Sequence, residues 1–126
     1  RFGDQEIAWQ GNDPRGDTAV DLAARLARVL GRAPLLVGPQ ERRVRRLGWC
    51  SGGAQAYFEE AVSLGLEAYI CGEISEQDVH LAREAGVAFL ACGHHATERF
   101  GLEALTAHLA GNFGLECTFV DIDNPV

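Results

Sequence analysis

The chain has 126 residues, 47% of them hydrophobic, and a formal net charge of −7. That length supports one domain around one buried core. No apolar run reaches the roughly 18 residues of a membrane-spanning helix, and the acidic balance argues against a nucleic-acid binder, which needs a basic face. With no charged-then-apolar signal at the start, the expectation is a soluble, cytoplasmic protein. All eleven basic residues are Arg, Met is absent, and the chain starts Arg1-Phe2-Gly3, so a fragment or a trimmed chain is expected.

Residues 7–10 read as a strand, followed by the turn-forming run Gly11-Asn12-Asp13-Pro14-Arg15-Gly16. Asp17 or Thr18 caps a helix with Ala19, Leu22, Ala23, Leu26 and Val29/Leu30 on its apolar face, and Gly31 stops it. Residues 34–38 form a short strand. From Val44 the pattern becomes regular: strand 44–50, tight loop Ser51-Gly52-Gly53, helix 54–64, then strand 68–71. A helix capped by Ser75 with Asp78 runs to Ala85, strand 87–92 follows, and a helix runs from about His95 to Ala110. Residues 117–122 are expected as a final strand. Strands alternating with helices of this length imply right-handed βαβ units and a mainly parallel sheet, an α/β fold in one domain over residues 1–126.

Cys50, Cys71 and Cys92 lie 21 residues apart, each closing a strand-like run, and with Cys117 they form no C-x-x-C pair. They read as reduced, small apolar residues that mark a repeating unit. The loops after them gather on one edge of a parallel sheet, where such folds bind ligands. Helices starting there turn their positive ends toward that edge.

On that edge, Gly93-His94-His95-Ala96-Thr97-Glu98 places two histidines at a strand exit and a carboxylate four residues after the first. His94 and Glu98, one helical turn apart with Cβ atoms roughly 5–6 Å apart, could share a first-row metal ion. Spacing alone equally describes a solvated helix start. His95 is a second candidate contact, for substrate or for packing. Glu73, at the neighbouring strand exit, is read either as a carboxylate at a helix amino terminus or as a proton-transfer group. Ser51, Gly52 and Gly53 could cradle a phosphate or simply make a tight turn. His80 is read as a surface or packing histidine, Trp9 and Trp49 as core, and Arg42, Arg43, Arg45 and Arg46 as a solvated or subunit-facing edge, with a substrate- or DNA-attracting patch as the alternative.

The stretches Gly48-Trp49-Cys50-Ser51-Gly52-Gly53-Ala54-Gln55, Gly72-Glu73-Ile74-Ser75-Glu76-Gln77, Gly93-His94-His95-Ala96-Thr97-Glu98-Arg99 and Phe119-Val120-Asp121-Ile122-Asp123-Asn124-Pro125 occur in that order. Together they closely resemble the carboxyl-terminal half of the Nif-three-like family, whose bacterial members are labelled type-two GTP cyclohydrolase homologues. The match is clearest over residues 44–126. The resemblance implies two interlocked α/β halves, a hexameric ring and two divalent metal ions per complete site. Zn, Mn and Fe are not distinguished by these ligands. Carried over, the metal ligands of this half are His94 and Glu98, while a His-His pair and an Asp would come from the other half.

The resulting expectation is a metal-dependent hydrolase, cyclohydrolase-like or a phosphoesterase, acting on a nucleotide or phosphorylated ligand. His95 and Glu73 are its candidate proton-transfer groups, and Ser51, Gly52 and Gly53 its candidate phosphate contacts. The alternatives are a non-catalytic metal-binding ring scaffold or carrier engaging protein partners, and an isolated domain with no function of its own.

Overall fold

In the computed structural model, which describes residues 1–125, strand β1 covers Trp9–Asn12, two residues later than expected. Helix α1 (Ala19–Leu30) begins where the Thr18 hydroxyl accepts the Asp21 N–H at 3.2 Å, satisfying one orphan donor of the first turn. Gly31 ends it in the left-handed region, its N–H donating back to the Ala27 carbonyl. Strands β2 (Leu35–Val37) and β3 (Arg46–Trp49) follow, then helix α2 (Phe58–Ser63), strand β4 (Ala68–Cys71), helix α3 (Glu76–Ala85), strand β5 (Ala88–Ala91) and helix α4 (His94–Phe113). Among the described residues, no helix is long and apolar enough to cross a membrane.

The five strands make one sheet in the order β1-β3-β4-β5-β2. The centre, β3-β4-β5, is parallel as the alternating pattern predicts. The two outer strands run the other way, β1 against β3 and β2 against β5. Helices cover both faces of β4 and β5, which is why these strands read as continuous apolar runs and are almost wholly buried.

The core is split by the sheet. On the α2/α3 side, Phe2, Phe58, Leu66, Tyr69 and Phe89 pack together. On the other side, Ala19, Leu22 and Leu30 of α1 meet Val44, Leu90, Cys92 and Ala96. Phe58 stacks on Tyr69 with ring centroids 5.9 Å apart and meets the Phe89 edge at 4.8 Å. Burial pushes the Tyr69 phenol far above its ordinary range. Its hydroxyl donates to the Ala54 carbonyl at 2.8 Å, so the buried polar end is satisfied.

That same bond explains one departure from expectation. Ala54 begins a 3-10 turn over Gln55–Tyr57, and regular α-helix starts only at Phe58. The Ala54 carbonyl takes the Tyr57 N–H and the Tyr69 hydroxyl, a tighter pattern than the i to i+4 ladder. A second correction concerns residues 117–122, which form no strand. The Asp121 side chain is drawn to His95 and Arg99, which holds the segment away from the sheet's edge strands. The segment crosses the end of the sheet instead, held by side chains. A third concerns Trp9 and Trp49, which face each other across β1 and β3 and are 46% and 39% exposed. They sit at the sheet corner beyond the buried cluster under α1, so they are not core.

The arginine run lies at the opposite end of the sheet from the strand exits. There Arg46 donates to the Leu64 carbonyl at 3.2 Å, Arg42 to the Gly86 carbonyl and Arg43 to the Gly16 carbonyl at 3.1 Å. Leu64 and Gly86 close α2 and α3, so two of these guanidiniums satisfy orphan carbonyls at the negative ends of helices. His80 is exposed on α3. The cysteines are free thiols, and burial pushes the Cys92 thiol up to about 12, consistent with an inert apolar role.

Phe58 joins the aromatic cluster to α2 and is fully buried. Phe58→Ala should lower the unfolding free energy in urea by about 3–5 kcal/mol. A loss under about 1 kcal/mol would show that this stack does not hold the sheet to its helices.

Candidate functional site

Three strand exits meet side by side, and their backbones are laddered together. The Gly72 N–H donates to the Gly52 carbonyl at 2.9 Å, and the Gly93 N–H to the Gly72 carbonyl at 2.8 Å. This contact tolerates no side chain at Gly72, where an added Cβ would stand 2.5 Å from the Gly52 carbonyl oxygen and 2.9 Å from His94 Cα. Gly52 combines a left-handed φ of 65° with a similar crush: its Cβ would lie 2.3 Å from Glu98 Oε1 and 3.0 Å from His94 Nε2. The Gly52 N–H donates to the Thr97 hydroxyl at 2.9 Å, and that hydroxyl in turn donates to the carbonyls that open α4. Thr97 thus clamps the Ser51-Gly52-Gly53 loop to the histidine helix. Sequence reasoning did not single it out, although it sits inside the motif that carries both candidate ligands.

His94 is the first residue of α4, and its ring stands between two carboxylates. Nδ1 lies 2.5 Å from Glu73 Oε1, and Nε2 lies 3.2 Å from Glu98 Oε2. The hydrogen bond to Glu73, with Glu98 as a lesser contributor, raises the His94 pKa above its ordinary value of 6.5. The one-turn spacing therefore does bring His94 and Glu98 together. Glu73 joins the same cluster from the next strand exit, and the geometry draws it toward His94. The amino terminus of α3 is served by its own residues, with the Ser75 N–H donating to Asp78 at 2.8 Å.

His95 turns to the other side of the helix start. Its Nε2 lies 2.8 Å from Asp121 Oδ1, while Arg99 Nη1 donates to Asp121 Oδ2 at 2.9 Å. Arg99 also donates to the Leu30 carbonyl, tying α4 to the end of α1. The Asp121 carboxyl is held below its ordinary value of 3.8, chiefly by His95 and then by Arg99. These bonds pin the carboxyl-terminal segment across the site. Between segment and helix lies an open cleft of about 1110 Å³ whose lining includes Ser51, His94, His95, Glu98, Phe119 and Ile122.

Imidazole nitrogen and carboxylate oxygen suit first-row divalent cations. Bonds of about 2.0–2.2 Å to one ion, at angles between about 90° and 109°, place two ligand atoms about 2.8–3.6 Å apart, and the observed 3.2 Å between His94 Nε2 and Glu98 Oε2 falls in that range. The pair fits as part of a metal site. Among the described residues, no three His, Cys, Asp or Glu form a complete cage.

Asp121 is the anchor of the segment over the cleft. Asp121→Asn should leave the fold intact yet raise amide exchange across residues 115–125, read by hydrogen–deuterium exchange. In the native chain the carboxylate's contribution should be fully present above about pH 3.8 and be lost as pH falls through the depressed folded value. Unchanged exchange in the variant would show that Asp121 does not tether the segment.

The description Duf34/NIF3 (NGG1p interacting factor 3) belongs to the family profile that matches residues 3–125. The GTP cyclohydrolase 1 type 2 homolog of Neisseria meningitidis serogroup A (strain DSM 15465 / Z2491) is 47% identical over 125 residues, covering 99% of this chain and 50% of the relative. Among solved structures, the protein ybgI, described as of unknown function, aligns with a TM-score of 0.88 at 42% identity, over 95% of this chain and 49% of that one. TTHA1606 from Thermus thermophilus aligns with a TM-score of 0.78 at 28% identity, over 92% and 47%. The chain spans about half the length of the curated relatives it matches. Its motifs, its sheet and its near-complete coverage by the profile agree: the chain belongs to the Duf34/NIF3 family.

Proposed function

We propose that this chain supplies one half of a divalent-metal site in a metal-dependent hydrolase acting on a nucleotide or phosphorylated substrate. The observation that carries the metal reading is the pairing of His94 Nε2 with Glu98 Oε2 at 3.2 Å on the wall of an open cleft. The relatives' name, GTP cyclohydrolase 1 type 2 homolog, supports a nucleotide as the substrate class. Two metals per complete site, the hexameric ring and a cytoplasmic location accompany this reading.

When bound, such ions lower the pKa of water toward neutrality and polarise the bond under attack. The protein's own residues divide the remaining work. His94 and Glu98 hold the cation. The amino terminus of α4 opens onto the same edge, favouring anionic groups such as phosphate. Ser51 offers a hydroxyl on the cleft wall. His95, oriented through Nε2 by Asp121, keeps its other ring nitrogen for proton exchange with a ligand in the cleft. Glu73 is engaged with His94, which weighs against a direct role in proton transfer.

A second reading uses the same ligands without turnover, as a metal-binding ring scaffold or carrier. The feature that favours it is the far half of α4, where Leu102, Leu105 and Phe113 are all exposed. Exposed apolar side chains along one projecting helix suit assembly with other chains.

Elemental mass spectrometry after dialysis tests the metal reading on the 126-residue chain, with His94→Ala and Glu98→Gln beside it. The native chain should retain divalent metal, and each variant should lose most of it. Equal metal in all three, or none in the native chain, defeats the proposal that this half supplies a working site. Occupancy should also fall as pH is lowered through the raised His94 pKa, because proton and cation compete for Nε2. Release of nucleotide hydrolysis products by metal-loaded protein would favour the hydrolase over the scaffold.

A further inference from the structure

Glu73 and Glu98 flank the same imidazole but meet different nitrogens. The two ring nitrogens of His94 point in divergent directions, so a cation on Nε2 beside Glu98 lies on the far side of the ring from Glu73. We propose that Glu73 is a positioning residue: its carboxylate accepts the Nδ1–H of His94, fixing the tautomer that turns the Nε2 lone pair toward Glu98 and a divalent cation. This rests on the metal reading of His94 and Glu98 and assigns Glu73 its part in that site.

Three observations support the assignment beyond the 2.5 Å contact itself. The Glu73 carboxylate is held from behind, where Gln55 Nε2 approaches Oε2 at 3.5 Å. The neighbouring loop passes beside it, with the place a Cβ would take at Gly53 lying 3.4 Å from Oε1. Finally, α3 has no need of Glu73, because the Ser75 and Asp78 pairing caps its start and Glu76 already places a carboxylate in its first turn. A carboxylate buttressed by an amide and committed to one imidazole nitrogen fits a metal ligand's supporting partner, and this arrangement raises ligand basicity as well as fixing ring orientation.

The test separates orientation from metal binding. Nitrogen-15 NMR of histidine-labelled protein, recorded without metal and above the titration of His94, reads the tautomer directly. The native chain should show His94 with Nδ1 protonated and Nε2 bare. Glu73→Ala should give a mixture of tautomers, while Glu73→Gln, whose side-chain oxygen still accepts from Nδ1–H, should largely keep the native form. Zinc affinity measured by calorimetry should fall about 10–100-fold in Glu73→Ala and less in Glu73→Gln. An Nε2-protonated native His94, or a tautomer unmoved by Glu73→Ala, overturns the proposal. So does a Glu73→Ala variant that loses zinc as completely as His94→Ala, since Glu73 would then be a ligand. If the tautomer shifts as expected but the native chain binds no zinc, the positioning role stands and the metal reading fails.

Discussion

The close approach of the Gly52, Gly72 and Gly93 backbones is the contact on which the rest of the candidate site depends. Parallel strands leave neighbouring exits near each other, but ordinary side chains would hold these loops apart. At Gly72 an added methyl would collide with main-chain atoms of both neighbours. Those atoms cannot swing away as a side chain can, so the whole edge would have to open. Glycine there lets the hydrogen-bonded ladder continue past the ends of the strands. The start of α4 is thereby drawn against the Ser51-Gly52-Gly53 loop, and His94 and Glu98 come to rest over Gly52. The loop that could be either a phosphate cradle or a tight turn in the sequence is, in the fold, the floor beneath His94 and Glu98.

A second ordering follows from the direction of the parallel strands. Helices α3 and α4 begin at the histidine edge, and the crossover helices α2 and α3 finish at the opposite one. Each edge then collects one sign of helix-terminal charge. Arg42 and Arg46 answer the carbonyls at the closing ends of α3 and α2. Carboxylates and imidazoles occupy the opening ends. The arginine run and the His-Glu cluster are thus two consequences of one topology, and the run needs no anionic partner to account for these two members.

Much of this was legible in the sequence where the governing contacts are local. Residues 68–71 were expected as a strand and form β4, because an apolar run between glycine-bounded turns has few alternatives. The His94–Glu98 pairing followed from helical spacing alone. What could not be read depends on partners distant in sequence. Glu73 meets His94 across 21 residues through the alignment of two strand exits. Tyr69 reaches back 15 residues to the Ala54 carbonyl and tightens a helix start that looked regular. Residues 117–122 alternate like a strand, yet Asp121 meets His95 and Arg99 through its side chain, long-range contacts that hold the segment off the sheet. Trp9 and Trp49 were expected inside on hydrophobicity, a criterion blind to whether any helix covers that corner of the sheet.

The metal reading proposed for His94 and Glu98 and the exposed apolar surface point the same way. In the proposed site, two protein donors would leave at least half of a divalent ion's coordination sphere to be filled by water or by groups from elsewhere. The far half of α4 carries Leu102, Leu105 and Phe113 exposed along one face at helical spacing, a pattern suited to cover by a partner surface. Trp9 and Trp49 add a second uncovered patch at the sheet corner. A chain that spans about half the length of its relatives, with His94 and Glu98 paired on an open cleft and two bare apolar regions, has surfaces that further polypeptide could complete. The cleft over His94 lies between α4 and the segment anchored by Asp121, so whatever packs along α4 would border the cleft as well. Assembly and chemistry would then share a wall, and the metal-type pair would gain its remaining donors from the surface that also covers the apolar ridge.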